Sequence, residues 1–370
     1  MIHLAEDTID KKDIDRLIGW LKTYPRLTQG WFVYEFERKW SEWLGRPYSV
    51  FCNSGSSANL LMYQVLLSNG LKNKLVVVPA TSWATSVMPA VQLGFIPLMC
   101  ETDPDTFGLN LDHLEYILVE HKPATVFMVQ VLGVPNKMKQ IMKLKEKYGF
   151  FLLEDACAAV GSETYQKVGT FGDMSSFSFY FGHQMSTIEG GMVSTGSLNF
   201  RERLVMARSH GMDKDLIEEP YRRHHPFIFI EPGFNLRSTD LNAFIGLGQL
   251  EKLDEMRKRR HQNHMLYKKL LKRFYTQDSS DKLISSIHFA LIAKDSKERN
   301  RIEKALIKNK IETRLFTAAN MGRHPFWENL YGIEEFRVAD RLYNCGLFLP
   351  NHPSLAAKDI KRIAKVVLSA

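Results

Sequence analysis

Between Tyr48 and Ser194 the chain alternates short apolar runs with longer amphipathic ones. Such alternation is typical of an α/β fold, in which strands and helices follow one another along the chain. Several of the runs are apolar throughout, as strands of a sheet covered by helices on both faces must be. The predicted strands are Tyr48 to Cys52, Lys74 to Val78, Phe95 to Met99, Ala124 to Val129, Phe150 to Leu153, Ser175 to Phe179 and Gly191 to Ser194.

Amphipathic helices are predicted on either side of this region. Apolar residues keep helical spacing from Ile9 to Leu21, from Trp31 to Leu44 and from about Thr239 to Phe274. We therefore expect a large domain over residues 1–245, and a connecting long helix with a small C-terminal α/β domain over residues 246–370. The elements predicted after the long helix are a strand near Ile287 to Ala293, a helix from Lys297 to Lys308, a short strand around Ile311 to Leu315 and a helix from Ala357 to Leu368.

The composition is that of a globular protein, with 370 residues of which 45% are hydrophobic and 24% charged. The longest uncharged stretch, Leu75 to Cys100, contains three prolines and a glycine, so we predict no membrane-spanning helix. Met1 to Asp13 lacks the basic-then-apolar order of a secretory signal, which favours a cytoplasmic location. The four cysteines are isolated from one another and predict neither a disulfide framework nor a metal site.

The net charge of +8 suits an anionic partner, and the most basic stretch is Arg257 to Arg273. Apolar residues such as Leu266 and Leu270 recur there at helical intervals, which favours a solvated helix face over a nucleic-acid site. A modest positive field also suits an anionic small-molecule substrate. We therefore expect neither a nucleic acid nor a membrane as partner.

The segment from Asn53 to Asn59, with the sequence NSGSSAN, directly follows a predicted strand and opens a helix. A helix start offers free N–H groups and the positive end of the helix dipole, and small residues let a phosphate approach closely. The segment is equally compatible with a turn that only caps the helix. It therefore predicts a phosphate site only in combination with other residues.

Glu154 and Asp155 stand at the C-terminal end of an apolar strand, where open α/β sheets bind their ligands. A carboxylate at this place can bond to a ring nitrogen and hold it protonated, which makes an aromatic cofactor a better electron sink. A helix N-cap is the alternative interpretation. The residues of the pair need not share one role.

The third segment runs from Ser176 to Gly191 and carries His183 between two predicted strands. Histidine can take and return a proton near neutral pH, because its ordinary pKa lies there. A lone loop histidine is usually structural. Only the combination of the three segments, in this order, points to a function.

That combination resembles the nucleotide-sugar aminotransferase (DegT/DnrJ-like) family, which consists of pyridoxal-phosphate proteins of fold type I. The resemblance spans nearly the whole chain and implies a large α/β domain with a mostly parallel mixed sheet and a smaller C-terminal α/β domain. The matching stretches are Phe36-Glu37 before Trp40, Ser54-Gly55-Ser56, Pro79-Ala80-Thr81-Ser82-Trp83, Glu154-Asp155-Ala156-Cys157, Gly172-Asp173, Ser178-Phe179, Glu189-Gly190-Gly191, and Gly233-Phe234-Asn235 with Arg237 and Thr239-Asp240.

One position departs from the family pattern. His183 stands five residues after Ser178, where the family carries the lysine that binds its cofactor covalently. Imidazole cannot form that bond with an aldehyde, although it can still act as a base. Within the family this substitution resembles the sugar 3-dehydratases. The stretches that extend this second resemblance are Ala207 to Gly211, Glu312 to Arg314, Ala319-Asn320 and Arg323 to Pro325.

The resemblance also implies which residues hold the cofactor, pyridoxal 5'-phosphate or its pyridoxamine form. Gly55 and Ser56 would bind the phosphate at the helix start, and Ser178 would add a hydroxyl. Trp83 would stack on the pyridine ring, because an indole face offers a large area to a flat cofactor. Asp155 would contact the ring nitrogen, since it precedes the matching Ala-Cys pair.

Five further roles follow from the resemblance. His183 is the candidate base, and His210 is a second candidate catalytic residue. Asn235 would reach the phosphate from the neighbouring subunit, which implies a homodimer with shared sites. Arg237 and Arg314 would bind the substrate anions, with surface salt bridges as the alternative interpretation.

The implied reaction is the removal of the C3 hydroxyl of GDP-4-keto-6-deoxymannose, with glutamate as the amino donor. A CDP-linked 4-keto-6-deoxyglucose is an alternative substrate, and the loop from Tyr221 to Glu231 is expected to bear on that choice. A sugar 4-aminotransferase is a second alternative, with Lys167 as the nearest lysine that could replace the missing one. A non-catalytic, regulatory relative is a third.

Overall fold

The computed structural model of the chain describes residues 1–213, 216, 228–280 and 282–370. In these residues the chain forms ten strands and twelve α-helices. The strands are β1 (Tyr48–Cys52), β2 (Leu75–Pro79), β3 (Ile96–Cys100), β4 (Thr125–Val129), β5 (Phe151–Asp155), β6 (Met174–Ser178), β7 (Gly191–Thr195), β8 (His288–Ile292), β9 (Arg314–Leu315) and β10 (Gly346–Pro350). The helices are α1 (Lys11–Leu21), α2 (Trp31–Leu44), α3 (Gly55–Ser68), α4 (Ala84–Gln92), α5 (Leu111–His121), α6 (Met138–Tyr148), α7 (Leu198–Arg208), α8 (Asp240–Leu270), α9 (Ser296–Lys308), α10 (Pro325–Tyr331), α11 (Arg337–Cys345) and α12 (Ala357–Leu368).

Seven strands form one sheet in the order β1-β7-β6-β5-β4-β2-β3. The strands β3, β2, β4, β5 and β6 are neighbours in this order, and each pairs in parallel with the next. The strand β7 pairs antiparallel with β6 and with β1. Each of the seven lies within two residues of a predicted strand. The predicted α/β fold with a mostly parallel mixed sheet is confirmed.

Both faces of this sheet are buried under helices. On β2, Val76 and Val78 join the core that contains α3, whereas Val77 joins the core that contains α5 and α6. Successive side chains of a strand point to opposite faces, so each of the three valines meets a helix layer. This explains why β2 is apolar throughout.

A buried ion pair ties α2 and α7 to β1. The Arg208 guanidinium lies 2.6 Å from the Glu37 carboxylate, and both side chains are nearly inaccessible to solvent. Each partner also bonds to the main chain of Phe51. The Phe51 carbonyl accepts from Arg208, and the Phe51 N–H donates to Glu37. The three elements are therefore held by one charged cluster.

The helix α8 runs for 31 residues, which is about 46 Å at 1.5 Å per residue. After it, β8, β10 and β9 form a three-stranded antiparallel sheet that shares a core with α9 and α12. The predicted division into domains at residue 245 falls inside α8 and stays a prediction. No helix of the described residues is both long and apolar enough to cross a lipid bilayer.

The predicted strand around Ile311 to Leu315 is wrong in its first half. Lys310 has a positive φ of 58°, and the Ile311 N–H donates back to the Leu306 carbonyl at 3.0 Å. This bond closes the C-terminus of α9, so Ile311 belongs to the helix cap. Only Arg314–Leu315 pairs with β10. The sequence analysis also missed β10, α10 and α11.

Candidate functional site

The two acidic residues at the end of β5 make different contacts. The Glu154 carboxylate accepts hydrogen bonds from the backbone N–H groups of Gly169, Phe171 and Gly172, at 2.8, 3.1 and 3.2 Å. It therefore shapes the loop that precedes β6. Asp155 is instead bonded from α3 and α4. This arrangement agrees with the choice of Asp155 over its neighbour.

Three donors fix the Asp155 carboxylate, which is 4% exposed. Its Oδ2 accepts from Asn59 Nδ2 at 2.9 Å and from Ser86 Oγ at 2.8 Å, while its Oδ1 accepts from the Cys157 N–H at 3.0 Å. The sequence analysis assigned no role to Asn59 or Ser86. Asn59 stands four residues after Gly55, on the same helix face, and that spacing was the available signal.

The start of α3 and the end of β6 form a cradle of small residues. Ser54 caps the helix, with its Oγ accepting from the Ser57 N–H at 3.1 Å. The N–H groups of Gly55 and Ser56 lie in the first turn, where no intrahelical carbonyl precedes them. A Cβ on Gly55 would lie 2.5 Å from the Cβ of Ser178, so only glycine allows this close approach.

Trp83 and Arg314 meet beside this cradle. Trp83 precedes the first residue of α4 and is 56% exposed. The guanidinium carbon of Arg314, on the edge strand β9, lies 5.3 Å from the centroid of the indole ring. The residue that precedes α4 and a residue of the small sheet thus share one exposed surface.

The His183 ring is fixed by one hydrogen bond to the main chain. Its Nδ1 lies 2.6 Å from the carbonyl oxygen of Cys157, two residues after Asp155. A carbonyl can only accept, so Nδ1 carries the proton of the neutral ring and Nε2 has a free lone pair. The His183 N–H donates to the Tyr180 carbonyl at 2.9 Å, which closes a turn directly after β6.

Burial lowers the pKa of His183 below its ordinary value of about 6.5. The Arg260 charge acts in the same direction, whereas the Cys157 carbonyl and the Asp155 charge oppose it. The imidazole is therefore neutral at pH 7. A neutral ring with a free Nε2 is the form that can accept a proton.

The segment that contains Asn235 and Arg237 lies against the end of β1. The Leu236 carbonyl accepts from the Asn53 N–H at 3.0 Å, and Arg237 forms an isolated bridge with Cys52. Asn235 itself is exposed. The segment therefore runs beside the residues that lead into the cradle.

His210 is exposed and follows α7. Its φ of +63° is uncommon for a residue with a side chain, and its N–H donates to the Phe234 carbonyl at 2.7 Å. This bond places His210 next to Asn235, whose backbone forms a bridge with Ser209. The two predicted site residues therefore come from neighbouring segments.

Lys167, the lysine that the aminotransferase alternative would use, is engaged elsewhere. Its ammonium donates to the Trp43 carbonyl and lies 4.6 Å from the centroid of the Trp43 ring. Trp43 belongs to α2, and none of the predicted site residues lies on that helix. Most of the loop from Tyr221 to Glu231, which was expected to bear on the choice of nucleotide, lies outside the described residues.

These residues fit a flat cofactor that carries one phosphate. The helix-start N–H groups of α3 and the Ser178 hydroxyl lie close together, and both suit the binding of an anion. A buried, fully oriented carboxylate at Asp155 suits a protonated ring nitrogen, and an exposed indole at Trp83 suits a ring face. The fit does not require a lysine.

Comparisons with known proteins show the family and the fold of the chain. Residues 7–368 match the model of the DegT/DnrJ/EryC1/StrS aminotransferase family. A GDP-4-keto-6-deoxy-D-mannose 3-dehydratase of Yersinia pseudotuberculosis is 31% identical, over 98% of this chain and 97% of its own length.

Two solved structures of GDP-4-keto-6-deoxymannose 3-dehydratase extend the likeness to the fold. A histidine variant of that enzyme (ColD) with bound GDP-perosamine superimposes with a TM-score of 0.93 and 26% identity, covering 99% of this chain and 100% of the other. A second, with a trapped PLP-glutamate geminal diamine, gives a TM-score of 0.91 and 25% identity, with the same coverage. The expected fold type I is confirmed. The chain belongs to the DegT/DnrJ/EryC1/StrS aminotransferase family.

Proposed function

We propose that this protein is a pyridoxal-phosphate-dependent 3-dehydratase that removes the C3 hydroxyl of GDP-4-keto-6-deoxymannose. The observation that carries the proposal is His183, a neutral base with a free Nε2 at the position where the family has its lysine. The relative and the solved structures that bear this enzyme's name support the substrate. The product would serve colitose biosynthesis.

The residues of the cradle would hold the cofactor. Gly55, Ser56 and Ser178 bind its phosphate, Trp83 covers its ring, and Asp155 keeps its ring nitrogen protonated. When bound, the pyridoxamine form supplies an amine for the sugar ketone and a ring that spreads negative charge. Asn59 and Ser86 orient the Asp155 carboxylate for this contact.

His183 then moves a proton at Nε2. The Cys157 carbonyl keeps the proton of the resting ring on Nδ1, so Nε2 always presents its lone pair to the site. Once Nε2 has taken a proton, the imidazolium can return it, because burial lowers the pKa of the ring and favours the neutral form. Because histidine forms no covalent bond to an aldehyde cofactor, the nitrogen of the sugar intermediate can leave as ammonia.

Glutamate supplies the electrons for this deoxygenation. Glutamate is oxidised to 2-oxoglutarate and ammonia, the sugar loses one oxygen atom, and atoms and electrons balance. Arg237 and Arg314 are the residues proposed to bind the anions of the two substrates. A homodimer in the cytoplasm, with Asn235 reaching into the partner's site, completes the proposal.

The stoichiometry of the reaction tests the proposal. The protein is incubated with pyridoxal phosphate, glutamate and GDP-4-keto-6-deoxymannose, and ammonia and 2-oxoglutarate are assayed against the sugar consumed. A dehydratase releases one of each per sugar. An aminotransferase would release 2-oxoglutarate without ammonia, and a non-catalytic relative would release neither. Activity with only a CDP-linked 4-keto-6-deoxyglucose would reassign the nucleotide.

A further inference from the structure

The His183 loop is held through its main chain as well as through the ring. Arg260 of α8 donates from Nη2 to the His183 carbonyl at 2.9 Å. Its Nη1 donates to the carbonyls of Ser286 at 3.3 Å and Ile287 at 3.4 Å, and also to that of Asn351. One guanidinium thus joins the His183 loop to the start of β8 and the end of β10.

The Arg260 side chain carries its charge into the interior without a counter-charge. It is 1% exposed, burial lowers its pKa to about 9, and no carboxylate of the described residues opposes that shift. Burying a charge is costly unless its polar groups are bonded. The bonds to the carbonyls of the His183 loop and of the residues beside β8 and β10 offset this cost, so hydrogen bonding rather than packing explains the guanidinium.

The neighbouring residue of the loop is anchored in the same way. Gln184 Nε2 donates to the carbonyls of Ala158 and Ser285, both at 2.6 Å. Asn351 Nδ2 in turn donates to the Ser286 carbonyl at 3.1 Å and to that of Arg260 at 3.2 Å. The Ser286 carbonyl, which accepts from Arg260, is therefore itself held in place by Asn351.

We propose that Arg260 is a positioning residue for the base. The ring of His183 is anchored at the Cys157 carbonyl and its main chain at Arg260, and two anchors leave the imidazole one orientation. The planar guanidinium can reach carbonyls on two sides at once, which a lysine ammonium cannot do with the same geometry. The catalytic consequence rests on the proposed function, but the link between Arg260 and the ring does not.

The variant Arg260→Lys tests the catalytic consequence. It keeps a cation but loses the bridge, so kcat should fall by about 10- to 100-fold, as small misplacements of a reacting group do. KM for glutamate and for the nucleotide sugar should stay within about threefold, because substrate contacts are unchanged. The matched control is Arg257→Lys on the same helix, where Arg257 pairs with Glu163 and Asp254, and this variant should keep its activity.

A second readout needs neither cofactor nor substrate. Imidazole ¹⁵N resonances of the cofactor-free protein report which ring nitrogen carries the proton, and His183→Gln identifies the signals of His183. The wild type should show the Nδ1–H form alone, whereas Arg260→Lys should show a mixture. If Arg260→Lys kept the wild-type tautomer and the wild-type kcat, even with lowered thermal stability, the proposal would be overturned. Arg260 would then have only a structural role.

If Arg260→Lys fails to fold, the same two measurements are made on Asn351→Ser. It keeps the guanidinium but removes the amide that orients the Arg260 and Ser286 carbonyls. A smaller change of tautomer and kcat in the same direction supports the proposal, and no change in either overturns it. If the wild-type protein had no dehydratase activity, only the proposed function would be rejected. The ¹⁵N resonances of the wild type and of Arg260→Lys would still show whether Arg260 positions the His183 ring.

Discussion

At position 183 a histidine and a lysine would give the same candidate site two different chemistries. A lysine there would bind the cofactor covalently, whereas the imidazole can only take and return a proton. The Cys157 carbonyl sets which nitrogen does so, because it accepts the Nδ1–H and leaves Nε2 free. The proposed reaction therefore depends on a side chain and on the main-chain atom that orients it.

Replacing His183 by lysine should convert one chemistry into the other. His183→Lys should gain a visible absorbance that survives dialysis after loading with pyridoxal phosphate, because the new amine can bind the cofactor covalently. Release of ammonia should fall by at least about 100-fold, the contribution of a positioned base. Spectra and ammonia assays of both proteins provide the comparison. Unchanged ammonia release in the variant would refute the assignment of the base.

The pH dependence of kcat/KM should show the effect of burial on His183. Burial lowers the pKa of the ring, and the neutral form is the base, so activity is complete above this pKa and is lost as the pH falls through it. The acid limb should therefore have its midpoint below about 6.5. The residual activity of His183→Gln should lack this limb. A midpoint above the ordinary value in the wild type would contradict a desolvated base.

Among the elements, β5 delivers two carboxylates to two different environments. Asp155→Asn should weaken cofactor binding by about 10-fold or more, because an amide cannot hold a ring nitrogen protonated. Glu154→Gln should leave cofactor binding unchanged but lower the free energy of unfolding by about 1–3 kcal/mol, because it disturbs a carboxylate that accepts three backbone N–H groups. Cofactor titration and thermal unfolding of both variants separate the two effects. Equal cofactor affinity in the two variants would contradict the division of roles.

The element α2 depends on its buried ion pair with α7. Glu37→Gln should reduce the free energy of unfolding by about 3–5 kcal/mol, because it leaves the Arg208 charge buried and unpaired. On the same helix, Glu42 pairs with Arg38 and Lys39 at the surface, and Glu42→Gln should cost about 0–1 kcal/mol. Urea denaturation measures both losses. Similar losses in the two variants would contradict the buried pair as the stabilising contact.

The elements also show which parts of the fold were predictable. Apolar runs such as Leu75–Pro79 can be recognised because both faces of their strand are covered. The helix Trp31–Leu44 matches its prediction to the residue, since Gly45 adopts the left-handed conformation that ends it. The strand around Ile311 was misplaced because its apolar side chain serves a helix cap, which periodicity does not reveal.

The candidate site was predictable only where its residues form local patterns. Ser178 and His183 lie five residues apart in the chain, and the resemblance to the family assigns their roles from that local stretch. Asn59 and Ser86 reach Asp155 from two helices far apart in sequence, and their side chains have no local signal of their partner. Arg260 was interpreted as part of a solvated helix face, whereas the structure buries it, because only tertiary packing brings its carbonyl acceptors together.

For the whole molecule, the proposed homodimer makes a prediction about mixtures of variants. In the proposed dimer, His183 and Asn235 of each shared site would belong to different chains, so His183→Gln and Asn235→Ala would place their defects in the same site of a mixed dimer. The other site of that dimer is intact, and random mixing should restore about a quarter of the wild-type activity. Co-refolding followed by activity assays measures this recovery. No recovery on mixing would place Asn235 in the site of its own chain.

The mass of the sugar nucleotide after reaction tests the central claim most directly. GDP-4-keto-6-deoxymannose is incubated with the protein, pyridoxal phosphate and glutamate, and the product is analysed by mass spectrometry. Deoxygenation by a histidine base predicts a product lighter by one oxygen atom that keeps its C4 ketone. A product that retains the C3 hydroxyl and in which the C4 ketone has become an amine would contradict the account.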